Sequence, residues 1–330
     1  MRACNTYKAN MPVDERMISN LSAIRKFNAA VAAGIRMAAI AAILATCVAT
    51  AQPTRSLPNL PEGTVVHRDL PYVSDGHERH RLDLYLPNDR NDLPLIIYIH
   101  GGAWLAGSKD RPVPLPFLAE GYAVASINYR LSQHALFPAQ IEDCKAAVRW
   151  LRANAGRYGL DPNRFAAWGE SAGGHLAALL GTAGDANQFD VGENLAVSSR
   201  VQAVVDFFGP TDLLQMDAHR LPGGQVHNTA DSPESRLVGG PVQENKEKAI
   251  AANPITYVTK DDPPFLIVHG DADPLVPHHQ SELLEAALKK AGVPVTFYTV
   301  KGGGHGGFAD PNVPPITREF LARYLKGRRP

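Results

Sequence analysis

From Thr64 onward the chain alternates between two hydrophobic periods. Thr64 to Val73 and Arg81 to Leu86 alternate apolar and polar positions, the two-residue period of strands with one wet face. Leu93 to His100 contains Leu95-Ile96-Ile97-Tyr98-Ile99, a nearly unbroken apolar run expected of a strand covered on both faces, and Tyr122 to Tyr129 reads alike. Phe137 to Tyr158 then places Ile141, Cys144, Ala147, Val148 and Leu151 at helical spacing. The cycle repeats with strands at Arg164 to Gly169, Val201 to Phe208, Phe265 to His269 and Val295 to Val300. Helices are expected at Ser171 to Leu180, His279 to Ala291 and Ile316 to Leu325.

Strands that alternate with helices predict an α/β class: a mostly parallel sheet of about eight strands with helices on both faces. Between Thr211 and Asp262 the alternation lapses, and Gly, Pro, Asn and His are frequent. That span (about 211–262) reads as a small lid-like insertion of loops and short helices over the sheet's C-terminal edge, within one catalytic domain at 64–330.

Composition changes this picture little. Lys plus Arg and Asp plus Glu are 33 each, for a formal net charge of zero, and no block of one sign stands out in the body of the chain. Electrostatic capture of nucleic acid or of an anionic membrane is therefore not expected, and a small or neutral substrate fits better. Of the cysteines Cys4, Cys47 and Cys144, only Cys144 falls in the expected domain. A lone thiol forms no internal disulfide and no zinc cluster, and in its helical pattern it reads as a small buried hydrophobe.

The N-terminal region changes more. Arg25, Lys26 and Arg36 precede an apolar run from Met37 to Val48, and Ala49-Thr50-Ala51 follows as a small-x-small site. Basic, apolar and small in that order predict a secretory signal (1–51) cleaved near Gln52, with Met17 as an alternative start. The apolar core of roughly a dozen residues is too short for a comfortable bilayer span, so an exported protein, periplasmic or secreted, is expected. Leu44-Ala45-Thr46-Cys47 loosely resembles a lipobox, but threonine before the cysteine fits it poorly. Residues 52–63, with three prolines before Glu62, read as an extended linker.

Chemistry concentrates in four short stretches. Gly169-Glu170-Ser171-Ala172-Gly173 lies between an expected strand, Phe165-Ala166-Ala167-Trp168, and an expected helix. A serine at such a tight turn is pushed above the sheet, and only small neighbours permit the turn, so Ser171 reads as a nucleophile rather than a helix cap. A hydroxyl needs a base at neutral pH, and the base needs a third group to fix its tautomer. Among 12 histidines, His305 is best placed, in Gly302-Gly303-Gly304-His305-Gly306-Gly307 directly after the last expected strand. His278 and His279 read as rim residues, His175 as a packed helix residue, and His100 as a brace for its own loop. No metal site is expected, since no other ligand stands at a suitable spacing from His305.

For the orienting acid, His269-Gly270-Asp271-Ala272-Asp273 offers two aspartates. Asp273, further into the loop, is favoured, and Asp271 reads as a turn residue. Backbone amides suit an oxyanion hole because they are rigid and already aimed. Gly101 and Gly102 of His100-Gly101-Gly102-Ala103-Trp104 supply two, and Ala172 a third; Trp104 would line a substrate pocket or simply pack.

Together these motifs resemble the carboxylesterase branch of the α/β hydrolases with an HGG oxyanion motif, most closely the bacterial feruloyl-esterase-like (BD-FAE) group. Tyr158-Gly159-Leu160-Asp161-Pro162, Phe208-Gly209-Pro210-Thr211-Asp212 and Asp262 to Gly270 extend the likeness over roughly residues 64–326. The resemblance implies the α/β-hydrolase fold and a Ser171-Asp273-His305 chain order. It also implies hydrolysis of small carboxylic esters with acetyl, feruloyl or other short acyl groups, including acyl groups on polysaccharides, through an acyl-enzyme and without a cofactor. Amide hydrolysis, as in arylformamidases or peptidases of the same fold, is the alternative. The stretches leave oligomeric state open.

Overall fold

The computed structural model describes residues 60–87 and 91–327. The expected signal and nearly all of the expected linker lie outside these residues. The strands are β1 (Val65–Pro71), β2 (Arg81–Leu86), β3 (Leu93–Ile99), β4 (Ala123–Ile127), β5 (Leu160–Glu170), β6 (Ala203–Phe207), β7 (Phe265–Gly270) and β8 (Val295–Val300). They form one eight-stranded sheet in the order β1-β2-β4-β3-β5-β6-β7-β8. β2 runs antiparallel to both of its neighbours, and every pairing from β4 to β8 is parallel. The expected α/β-hydrolase sheet, mostly parallel and of about eight strands, is present.

Helices α1 (Ala139–Ala153), α2 (Ala172–Thr182), α5 (His279–Ala291) and α6 (Val313–Lys326) cover the sheet, and two short helices, α3 (Pro233–Val238) and α4 (Lys246–Ala252), lie in the 211–262 span. The unbroken apolar run of β3 is divided between the two faces. Leu95, Ile97 and Ile99 share a core with Ile141 and Val148 of α1, Leu176 and Leu180 of α2, and Leu284 and Leu288 of α5. Ile96 and Tyr98 pack instead with Phe117 and with Phe320, Leu321 and Leu325 of α6. A strand buried on both faces needs apolar side chains at odd and even positions alike, which is why no alternation is visible in its sequence.

Four elements differ from the sequence expectation. β2 has no wet face: Leu82, Asp83, Leu84 and Tyr85 are all buried. Its polar position Asp83 is interior because Lys109 Nζ at 2.7 Å, Arg68 Nη1 at 3.0 Å and the Asp69 amide at 2.8 Å partner the carboxylate. Tyr85 lies under Leu115 and Leu118 of a 3₁₀ segment that hydrophobic periodicity did not resolve. β5 begins at Leu160 rather than Arg164, since Leu160 still pairs with Leu93. The helix expected to reach Tyr158 stops at Ala153 and continues as a 3₁₀ turn, Ala155–Tyr158, closed by Gly159 at φ 65°. α6 starts three residues early, where Pro314 and Pro315 lack amides that the first helical turn would leave unbonded.

The strand order sets the site's location. β4 and β5 lie on opposite sides of β3, so the chains leaving β3 and β5 diverge at the sheet's C-terminal edge and open a crevice there. The loop after β3, the turn after β5 and the loops after β7 and β8 all emerge at this edge.

Candidate active site

Ser171 closes β5 and stands at the head of α2 with φ 56° and ψ −123°, a conformation that costs a non-glycine residue about 1–3 kcal/mol. The turn fits only because its neighbours lack side chains. A Cβ on Gly169 would sit 1.9 Å from the Gly173 carbonyl oxygen, and one on Gly173 would sit 2.0 Å from that of Ile99. Two backbone hydrogen bonds hold the turn: the Ser171 amide donates to Phe207 O at 2.8 Å, and the His175 amide donates to Ser171 O at 3.0 Å. Ser171 makes no side-chain capping bond to α2. Its Oγ lies instead 2.9 Å from His305 Nε2.

His305 rides on the glycine-rich loop after β8, and its Nδ1 lies 2.7 Å from Asp273 Oδ2. Asp273 is buried, and the Leu275 and Val276 amides donate to its Oδ1 at 2.8 and 3.0 Å. Burial alone would raise its pKa. The hydrogen bonds from His269 and His305, the His305 charge and the Val276 amide outweigh it, so the carboxyl stays well below the ordinary range. The structure thus brings together a hydroxyl, an imidazole and a carboxylate held in its ionised form, which is what proton removal from a serine requires. Asp271 lies apart from this line. Its carboxylate accepts from the Gly302 amide at 2.6 Å and pairs with Lys301 at 3.1 Å, tying the β7 and β8 loops together.

One partner was not anticipated. His269 is fully buried at the end of β7, with Nε2 3.1 Å from Asp273 Oδ2 and Nδ1 2.7 Å from Ser281 Oγ. It braces the Asp273 loop from behind. The signal was present in sequence only as a histidine four residues before the aspartate, at the end of a buried strand.

The loop after β3 abuts Ser171. A Cβ on Gly101 would lie 2.7 Å from Glu170 O and 3.4 Å from Ser171 Cβ, and Gly102 adopts φ +108°. Ala172 heads α2, where an amide has no intrahelical acceptor. His100 braces this loop as expected: its Nδ1 lies 2.7 Å from Gly101 O, its ring stacks on Tyr129 at 4.4 Å, and Arg79 Nη2 approaches its Nε2 at 3.1 Å. Arg79 also donates to Gly107 O and Tyr129 O.

Trp104 both packs and lines. Its indole Nε1 donates to His175 Nδ1 at 3.2 Å, while His175 Nε2 meets Ala252 O of α4 at 2.8 Å, and its ring forms part of the pocket wall. Burial pushes both His100 and His175 down to about 4, so both are neutral at neutral pH and weak as bases. His278 and His279 sit at the head of α5, where His279 stacks on His219 at 3.5 Å.

The pocket over Ser171 holds about 60 Å³. Ala103, Trp104, Ala172 and His305 line it, together with Gln225, His227 and Glu234 from the 211–262 span. Among the described residues, one other group has metal-ligand chemistry: His77, Glu78 and His134, with ligand atoms within 4.8 Å of one another. It lies outside the pocket lining, and the Nδ1 atoms of both histidines accept backbone amides, from Arg79 at 3.1 Å and Leu131 at 3.2 Å. Buried Cys144 is a packing residue whose thiol burial pushes well above the ordinary value.

Comparison with known proteins shows the family and its esterase relatives. The chain is 34% identical over 265 residues to the esterase LipQ of Mycobacterium tuberculosis, covering 76% of this chain and 61% of that protein. It therefore spans less than two thirds of that relative's length. A truncated carbohydrate esterase from gut microbiota superposes with a TM-score of 0.74 at 37% identity, over 82% of this chain and 100% of that one. The Thermogutta terrifontis esterase Est2 with butyrate bound gives a TM-score of 0.63 at 27% identity, over 82% of this chain and 98% of that one. Residues 82–288 match the BD-FAE family model, and the chain belongs to that family.

Proposed function

We propose that this protein is a serine carboxylic ester hydrolase with Ser171, His305 and Asp273 as its catalytic triad. The observation that carries the reading is the unbroken line from Ser171 Oγ through His305 to Asp273, at 2.9 and 2.7 Å, on a backbone held at positive φ. His305 Nε2 takes the proton as Ser171 Oγ attacks the ester carbonyl, and ionised Asp273 stabilises the imidazolium that forms. The oxyanion rests on the amides of Gly101, Gly102 and Ala172, each worth about 10²–10³ in rate. The alcohol leaves with the proton from His305, and water repeats the attack on the acyl-enzyme. The relay needs neither metal nor organic cofactor.

The small pocket supports a short acyl group. A volume of about 60 Å³ corresponds to roughly four or five water-sized positions, which suits an acyl group of acetyl to butyryl size. A carbohydrate esterase and a butyrate-bound esterase among the similar structures support the same reading. We take the substrate to be a small ester, including acyl groups on polysaccharides.

Turnover of p-nitrophenyl esters from acetate to decanoate tests the proposal. Expected is kcat/KM that falls beyond butyrate and a loss of about 10⁴-fold or more in Ser171→Ala. Undiminished turnover by that variant overturns the assignment, and turnover of formylkynurenine without ester turnover would favour the amide hydrolase.

A further inference from the structure

The 211–262 span contributes to the pocket a pair of side chains that the triad mechanism does not use. His227 and Glu234 are both buried, and His227 Nδ1 lies 3.0 Å from Glu234 Oε1. The far atom of each, His227 Nε2 and Glu234 Oε2, is buried without a hydrogen-bond partner among the described residues. Two orphaned polar atoms in one hydrogen-bonded pair are costly in a folded protein, and such pairs survive where a ligand completes them. Both residues line the cavity that contains Ser171, His305 and Trp104.

Their placement is firmly held. The carboxylate of Asp217 accepts the amides of His227 and Asn228 at 2.8 and 2.9 Å. The Gln225 amide donates to Pro274 O at 2.8 Å, fixing the segment to the loop that carries Asp273. Ser232 caps α3, accepting the Ser235 amide at 3.1 Å, and so sets Glu234 in the first turn. The subsite is thus built onto the acid loop of the triad.

Resting on the esterase reading, we propose that His227 and Glu234 form a specificity subsite that binds a hydroxyl group of the ester substrate. The chemistry follows from the free atoms. A neutral imidazole that donates Nδ1–H to Glu234 leaves two acceptors, which neighbouring hydroxyls on one substrate satisfy. A protonated imidazole donates from Nε2 to a hydroxyl oxygen while Glu234 Oε2 accepts its hydrogen. An alkyl chain satisfies neither, and a site built to bond a hydroxyl rejects the analogue that lacks it.

Matched esters test this, with acid release followed by pH-stat. Glycerol monoacetate against propyl acetate reads a hydroxyl on the alcohol side, and methyl β-hydroxybutyrate against methyl butyrate reads one on the acyl side. In one of the two pairs the wild type should prefer the hydroxylated member by about tenfold or more in kcat/KM. Glu234→Gln and His227→Gln should each cut that ratio by about tenfold, with melting temperature recorded to show that the variants fold. Equal rates within both pairs, or a preference that both folded variants retain, would overturn the subsite and leave the esterase reading intact. If the wild type cleaves none of these esters, turnover of p-nitrophenyl esters still decides the esterase reading. Calorimetric binding of the same pairs to Ser171→Ala then decides the subsite: preferential binding of a hydroxylated member supports it, and equal binding overturns it.

Discussion

At the scale of single residues, the two aspartates of the β7 loop separate most sharply. Asp273 has no exposed side-chain surface and touches His305, whereas Asp271 meets Lys301 and the Gly302 amide at the protein's edge. Asp273→Asn should lower kcat by about 10⁴-fold through loss of the imidazole's orientation and charge partner, and Asp271→Asn should cost far less. Comparable losses in a steady-state assay would show that the acid was misassigned. Asp206 makes a second prediction. It is fully buried under the α2 turn, where its Oδ1 accepts the Gly209 amide at 2.9 Å, and burial raises its pKa to about 7. A carboxyl raised in the folded state keeps its proton there while the unfolded chain releases it. Stability should therefore fall as pH rises from about 4 through about 7, by up to about 4 kcal/mol, and level off above. Asp206→Asn removes the titrating group, so urea midpoints across that range should flatten; an unchanged slope would assign the pH dependence to other groups.

At the scale of elements, the β5–α2 unit was the most legible part of the chain, because everything that shapes it is local. The elbow's glycines, the strand before it and the helix after it all lie within about twenty residues, and the steric demand of the turn is written directly in residue size. Gly173→Ala should accordingly destabilise the fold by about 3 kcal/mol or more, since its Cβ would collide with backbone rather than with a flexible side chain. A variant with native thermal stability would mean that the elbow yields more than this packing allows. The β2 strand was legible only in position. Its alternating pattern suggested a wet face, yet Lys109, from the loop after β3, and Arg68 of β1 neutralise Asp83 and allow it inside. No local pattern carries that information, because the partners come from other elements.

At the scale of the whole molecule, the strand order gathers four distant loops at one edge of the sheet, and the 211–262 span lends residues to the lining of the Ser171 pocket. We propose further that the chain is exported, on the strength of the basic, apolar and small-residue order before Gln52. Mass spectrometry of the protein from its native host should find a mature N-terminus at Gln52; an intact leader would refute export by this route, and a lipidated Cys47 would replace secretion with membrane anchoring.

Alternation of strand and helix, the parallel sheet and the candidates Ser171 and His305 are all legible in the chain alone, because hydrophobic period and glycine-flanked turns are properties of short segments. Folding brings Asp273 rather than Asp271 to His305, buries His100 and His175, places Trp104 in both the packing and the pocket lining, and carries His227 and Glu234 to the Ser171 cavity. Those outcomes depend on burial and on contacts between residues far apart in the chain, so they exist only once the sheet has brought its loops together.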